Sequence, residues 1–129
     1  MANFPEDLSY SKDHEWLRLD GDRATIGLTD HAQRQLGDIV YVELPKEGER
    51  FDADEPFGSV ESVKAVSEVY LPVGGTVLTV NTSLNDEPEQ INTDPYGDGW
   101  LLRIQVTDST NALLTAAQYE EYVREGTPR

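Results

Sequence analysis

The chain has 129 residues and no cysteine, so it is long enough for one domain with its own hydrophobic core and offers neither a disulfide framework nor a thiol nucleophile. Its 25 Asp and Glu against 10 Lys and Arg give a formal net charge of −15, which repels phosphate backbones and anionic bilayers and argues against nucleic-acid and membrane partners. No apolar run reaches the length of a membrane span, and Met1–Asp7 has neither an apolar core nor arginines, so no signal or transit segment is expected and a bacterial-type cytoplasmic location is.

Residues 1–14 are polar and read as an irregular lead-in, with 1–7 expected to fray. Glu15 to Leu19 and Arg23 to Leu28 form a hairpin around Asp20-Gly21-Asp22, with Trp16 as anchor and Ala24, Ile26 and Leu28 on one face. Thr29 or Asp30 caps a short helix through Leu36, which Gly37 ends. Ile39 to Leu44 is a strand that places Val40, Val42 and Leu44 on one face, and Pro45 to Gly48 turns it. Phe51 opens a short strand, Phe57 to Val63 rises to a turn at Lys64, and Val66 to Leu71 descends. After Pro72-Val73-Gly74-Gly75 comes a strand over Thr76 to Val80, then a polar stretch to Thr93 with one helical turn and a loop over Asp94 to Gly99. Trp100 to Val106 is the last strand, and a helical region capped by Asp108 or Ser109 runs to about Val123, with 125–129 expected to fray. Many short strands between close turns predict a mainly β single domain over 1–129, a sandwich or small barrel with helices at its ends.

Lys64 is the only Lys or Arg between Arg50 and Arg103. A lone cation at a hairpin tip, between the small residues Ser62 and Ala65, is held outward as an enzyme that acylates one lysine requires; a solvated surface lysine is the plainer reading of the same pattern. Around it Val42, Leu44, Pro45 and Gly48 recur 27 positions on as Val69, Leu71, Pro72 and Gly75, which suggests two similar half-barrels with the lysine hairpin at their joint. Rival chemistries are absent. His14 and His31 have no metal-ligand spacing, there is no G-x-S-x-G or phosphate loop, and Asn92 to Asp98 imitates a calcium loop only until Pro95. No nucleophile, base and orienting group form a set, so no catalytic residue and no metal site are expected.

Glu61-Ser62-Val63-Lys64-Ala65 closely resembles the lipoylation motif of the glycine cleavage H-protein family. His14-Glu15-Trp16, Ile26 to Gln33, Leu36-Gly37-Asp38, Leu44-Pro45 and Pro95 to Trp100 look like family segments in family order, so the likeness runs from about Leu8 to Tyr122. The resemblance implies a flattened barrel-sandwich hybrid of the biotinyl/lipoyl-carrier type with small flanking helices, and a non-catalytic carrier with lipoic acid in amide linkage on Lys64. It also implies four kinds of partner: a pyridoxal-phosphate glycine decarboxylase, a tetrahydrofolate-dependent aminomethyltransferase, a flavin-containing dihydrolipoamide dehydrogenase, and the lipoylating enzymes. Glu61, Ser62, Val63 and Ala65 would be what the lipoylating enzyme reads beside the lysine. Lysine is the required type, because its primary amine makes a stable amide that arginine cannot replace.

The loaded arm would bear a protonated amine, and the resemblance suggests that it folds into a surface cleft where carboxylates hold it by charge-assisted hydrogen bonds. Glu15 is the first candidate, Glu68 the second and Asp13 the third; the Glu68 position can be Asp in the family. Gly58 and Gly75 are assigned to the backbone, and Trp16, Trp100 and Tyr96 to packing. Three other readings use the same lysine. A 2-oxoacid dehydrogenase lipoyl domain usually has Asp-Lys-Ala, a biotin carrier flanks its lysine with methionine, and a lipoyl reservoir would pass the cofactor on. An unmodified interaction domain is the fourth.

Overall fold

A computed structural model describes residues 4–107 and 113–126. Strands β1 (Ser9–Tyr10), β2 (Glu15–Asp20) and β3 (Arg23–Leu28) lead to helix α1 (Asp30–Leu36), followed by β4 (Ile39–Glu43), β5 (Arg50–Phe51), β6 (Pro56–Ser62), β7 (Val66–Tyr70) and β8 (Gly75–Val80). A 3-10 turn over Thr82–Asn85 and the short helix α2 (Gln90–Thr93) precede β9 (Leu102–Val106) and the C-terminal helix α3 (Ala116–Gly126). Two antiparallel sheets result, β1-β2-β3-β9-β8-β5 and β4-β6-β7, and they face each other as the expected flattened barrel-sandwich.

Alternation along the strands builds the core. Leu17, Ala24 and Ile26 from the large sheet meet Val42, Val60 and Val69 from the small one, and Leu71, Leu102 and Ile104 complete the filling. A second apolar cluster lies under α3, where Tyr10 and Tyr119 stack with ring centroids 4.8 Å apart beside Leu8 and Trp16. Phe4 sits edge-on to Tyr119 at 5.2 Å, and the Pro5 carbonyl accepts a hydrogen bond from the Tyr10 hydroxyl.

The expected β2–β3 hairpin forms, but Asp20 belongs to the strand, paired with Arg23, and the turn shortens to Gly21-Asp22 with Gly21 in the left-handed region at φ 65°. Thr29 caps α1, its hydroxyl accepting from the Ala32 amide, and Gly37 closes it at φ 83°. The 27-residue echo has a structural counterpart: each Pro turn carries the chain from the small sheet to the large one, β4 to β5 and β7 to β8, and β5 pairs with β8.

Three expectations are corrected. Val40 does not share a face with Val42, because the pairing of β4 with β6 slips between Ile39 and Tyr41; this bulge buries Ile39 and Val42 and turns Val40 outward, 51% exposed. Leu44 lies beyond the strand and packs partly buried on the core. The last strand begins at Leu102, not Trp100, because Trp100 is held in the preceding loop by its amide bond to the Gly97 carbonyl. Helix α3 runs on to Gly126; the Asp108 or Ser109 cap lies outside the described residues. Gly58 serves the backbone as assigned: a Cβ there would run into the Glu43 carbonyl of the neighbouring strand.

Candidate functional site

Glu61 and Val66 are the last paired residues of the β6–β7 hairpin, and the turn between them is built by Ser62. The Ser62 amide donates to the Ala65 carbonyl at 2.8 Å, and the Ser62 hydroxyl oxygen accepts from the Lys64 and Ala65 amides, each at 3.1 Å. Ser62 is therefore buried, with its hydroxyl engaged inside the turn, while Val63, Lys64 and Ala65 are exposed and Glu61 is half-buried. Val63 donates its amide to the Asp38 carbonyl at 3.1 Å, which ties the tip to the loop after α1.

The Lys64 stem crosses Gly37, where a Cβ would stand 3.2 Å from its Cε and 4.0 Å from its Nζ. Gly37 thus answers two demands, a backbone conformation that L side chains avoid and an open surface for the lysine. Among the described residues no carboxylate lies within ion-pair distance of Lys64, although the chain has 25 acids. The hairpin therefore presents an uncompensated amine on a braced base.

Helix α1 also borders a cleft of about 180 Å³ lined by Asp13, His14, Glu15, Leu28, Ala32, Gln35, Leu36, Ser67 and Glu68. It brings together all three acids singled out in the sequence. Glu15 is not a surface acid: it is 1% exposed, with one oxygen accepting from the Ser11 hydroxyl at 2.8 Å and the other from the Tyr70 amide at 3.0 Å. These bonds favour the carboxylate, but burial outweighs them and pushes its pKa up to about 8, with Asp13 and Asp54 adding to the rise. Asp13 is also raised, by burial first and by Asp54 second. Glu68 is exposed and accepts from the Tyr70 hydroxyl at 3.3 Å.

Sequence reasoning missed the rest of the lining. Ala32, Gln35 and Leu36 stand three and four residues apart, the spacing of one helix face, and that periodicity was the signal available for them. His14, set aside for want of a metal-ligand spacing, has a structural place. It adopts φ 71°, and its Nδ1 lies 2.8 Å from the Tyr119 hydroxyl, which also lies 2.8 Å from the Thr29 hydroxyl. Burial and the nearby His31, with ring centroids 4.9 Å apart, lower the His14 pKa to about 4, so the ring is neutral at pH 7. Tyr119 thereby joins α3, the cleft and the cap of α1 through one hydroxyl. No group of three metal-ligating side chains occurs among the described residues.

Chemically, the site pairs a presented primary amine with a small cleft that is apolar along α1 and acidic opposite. The family model described as glycine cleavage H-protein matches residues 8–126. The chain is 55% identical over 124 residues to the glycine cleavage system H protein of Rubrobacter xylanophilus, covering 96% of this chain and 95% of that one. Identity to the protein of the same name from Herpetosiphon aurantiacus is 52% over 125 residues, 97% of each. The crystal structure of a glycine cleavage system H protein from Mycobacterium marinum superimposes with a TM-score of 0.85 at 42% identity, covering 96% of this chain and 99% of that one.

Proposed function

The chain belongs to the glycine cleavage H-protein family, and from that premise we propose that it acts as a lipoyl carrier of the glycine cleavage system with Lys64 as the attachment residue. The observation that carries the assignment is the arrangement at the β6–β7 tip: an exposed lysine without an ionic partner among the described residues, clamped by Ser62 and seated on Gly37, next in sequence to Leu36 in the wall of an acid-lined cleft. These residues fit an acylated lysine, since the amine is accessible and its stem has a surface to lie on. Lipoic acid in amide linkage at Nζ supplies the disulfide chemistry of one-carbon transfer and redox, which no side chain here provides. The protein contributes presentation, and tethering raises the effective concentration of the carried group at each partner.

Within the cleft, Leu28, Ala32 and Leu36 exclude water, and Glu15, Glu68 and Asp13 supply oxygen acceptors. A cationic amine entering beside Glu15 favours the carboxylate, so Glu15 gives up its proton as the charge arrives and regains it as the charge leaves. The corresponding partners are a pyridoxal-phosphate glycine decarboxylase, a tetrahydrofolate-dependent aminomethyltransferase, a flavin dihydrolipoamide dehydrogenase and a lipoylating enzyme that reads Glu61, Val63 and Ala65 beside the lysine. Among the described residues no helix is long and apolar enough to cross a membrane.

Intact-mass and peptide mapping of protein from lipoate-replete cells test the attachment. A lipoyl group on Lys64, lost in Lys64→Arg, is expected; an unmodified Lys64 overturns it. The modified protein incubated with glycine and a glycine decarboxylase acquires an aminomethyl group. Failure to do so while Lys64 is lipoylated favours a lipoyl reservoir instead.

A further inference from the structure

A second concavity lies elsewhere. A groove of about 610 Å³ is lined by Arg18, Arg23, Thr25, Trp100 and Arg103 together with Asp20 and Asp98. The β2–β3 ladder separates it from the cleft. The Glu15–Leu28 pair at one end borders the cleft and the Asp20–Arg23 pair at the other borders the groove. The Arg18–Thr25 pair also lines the groove, so the nearest separation is three steps of β2, roughly 10 Å at the usual rise of a strand.

Three of the chain's seven arginines meet in this groove. Arg18, Thr25 and Arg103 form one row across β2, β3 and β9, so their side chains project from the same face. Both guanidinium groups rest on aromatic surfaces, Arg18 at 5.1 Å from the Trp16 ring centroid and Arg103 at 4.7 Å from that of Trp100. Each has one further anchor: Arg18 donates to the Tyr96 carbonyl at 3.3 Å, and Arg103 Nε to the Thr25 hydroxyl at 3.3 Å. Among the described residues none of Arg18, Arg23 and Arg103 has a carboxylate within 4.0 Å, whereas Arg34, Arg50 and Arg124 each do.

A protein of net charge −15 leaves few arginines unpaired without consequence. Seated guanidinium planes with free N–H edges are preorganised for carboxylates, which they bind through two parallel hydrogen bonds. Asp20 and Asp98 in the lining and the overall charge disfavour a long polyanion such as a nucleic acid. We propose that this groove docks an acidic segment of a partner protein, and so anchors that partner at the end of the ladder away from the lysine tip. The assignment is independent of what Lys64 carries.

The test titrates ¹⁵N-labelled Lys64→Arg protein with N-acetyl, C-amide hexaglutamate at low ionic strength. Shifts are expected at the Thr25 and Arg103 amides and the Trp100 indole N–H, fading as salt is added. Arg18→Gln with Arg103→Gln weakens the titration about tenfold, and Arg50→Gln with Arg124→Gln, an equal charge change outside the groove, less than about twofold. Arg103→Lys keeps the charge but loses the stacked fork, and weakens it about threefold. Equal weakening by both double variants, no weakening in either groove variant, or shifts centred elsewhere overturns the proposal. So does an identical response to inorganic phosphate, which marks a general anion site, or a dimer in sedimentation velocity that the groove variants abolish, which makes a second copy the occupant.

Discussion

Glu15→Gln isolates the proton that the cleft stores. The Glu15 carboxyl titrates at about 8 in the folded protein against an ordinary value of 4.5, because burial penalises its charged form. Between these two pH values the native state holds a proton that the unfolded chain has released, so its stability falls as pH rises. His14 works in the opposite direction: its folded value of about 4 lies below the unfolded 6.5, so it adds stability as pH rises from 4 to 6.5, and His31 is shifted the same way. Above pH 6.5 only the tail of the histidine titrations remains, a few tenths of a kcal/mol of gain common to wild type and variant, and Glu15 alone divides the two proteins. At about 1.4 kcal/mol per pH unit, and with Glu15 half ionised at pH 8, the fall from pH 6.5 to 8 is roughly 1.5–2 kcal/mol. Gln keeps the packing and both hydrogen bonds, its oxygen accepting from Tyr70 and its amide donating to the Ser11 oxygen, but has no proton to lose. Urea unfolding at half-unit pH intervals reads the difference. With a slope of about 1–3 kcal/mol per molar, the wild-type midpoint drops by about 1 M across this window while that of Glu15→Gln stays level. Parallel curves for the two proteins would refute the reasoning and leave Glu15 an ordinary acid.

Further substitutions probe the tip and its supports. Ser62→Ala leaves the Lys64 and Ala65 amides without their acceptor; about 1–2 kcal/mol of stability is lost, and lipoylation of Lys64 by a lipoate ligase slows, as read by intact mass. Gly37→Ala forces an L side chain to φ 83° and ψ −158° and sets a methyl 3.2 Å from the Lys64 Cε, which costs about 1–3 kcal/mol in thermal unfolding and displaces the lysine methylene resonances. Tyr119→Phe removes the hydroxyl shared by His14 and Thr29, costs about 1–3 kcal/mol, and changes the His14 ring resonances in NMR. Glu15→Ala shortens the lifetime of the aminomethylated protein without preventing lipoylation; an unchanged lifetime removes Glu15 from the carrier mechanism.

What the sequence made legible was local. Alternation and Asp20-Gly21-Asp22 sufficed for β2 and β3, and Thr29 with Gly37 bounded α1, because each signal acts within a few residues. The face of β4 was misread because a bulge depends on the partner strand: Val40 is the residue that β6 leaves unmatched. The Lys64 turn was visible as a pattern, but its clamp was not, since Ser62 looked like a small neighbour that leaves room and instead organises the turn. Glu15 was singled out only by resemblance, and its burial was invisible, because the Tyr70 amide that meets it stands 55 residues away. The arginine row was equally hidden. Arg18 and Arg103 become neighbours through Thr25, and only strand order and register create that adjacency.

The run from Ala32 to Asp38 has a further consequence. Within seven residues it provides a wall of the cleft, the seat under the Lys64 stem and the carbonyl that holds the Val63 amide. Lysine seat and cleft are thus neighbours along the chain twice over: Leu36 lines the cleft and the next residue, Gly37, carries the lysine stem, while Ser67 and Glu68, just past the lysine turn, close the cleft from the hairpin side. Deleting one residue of α1 between Ala32 and Leu36 would rotate Ala32 by about 100° against the seat, and so pull one wall of the cleft away from the lysine while leaving its other walls in place.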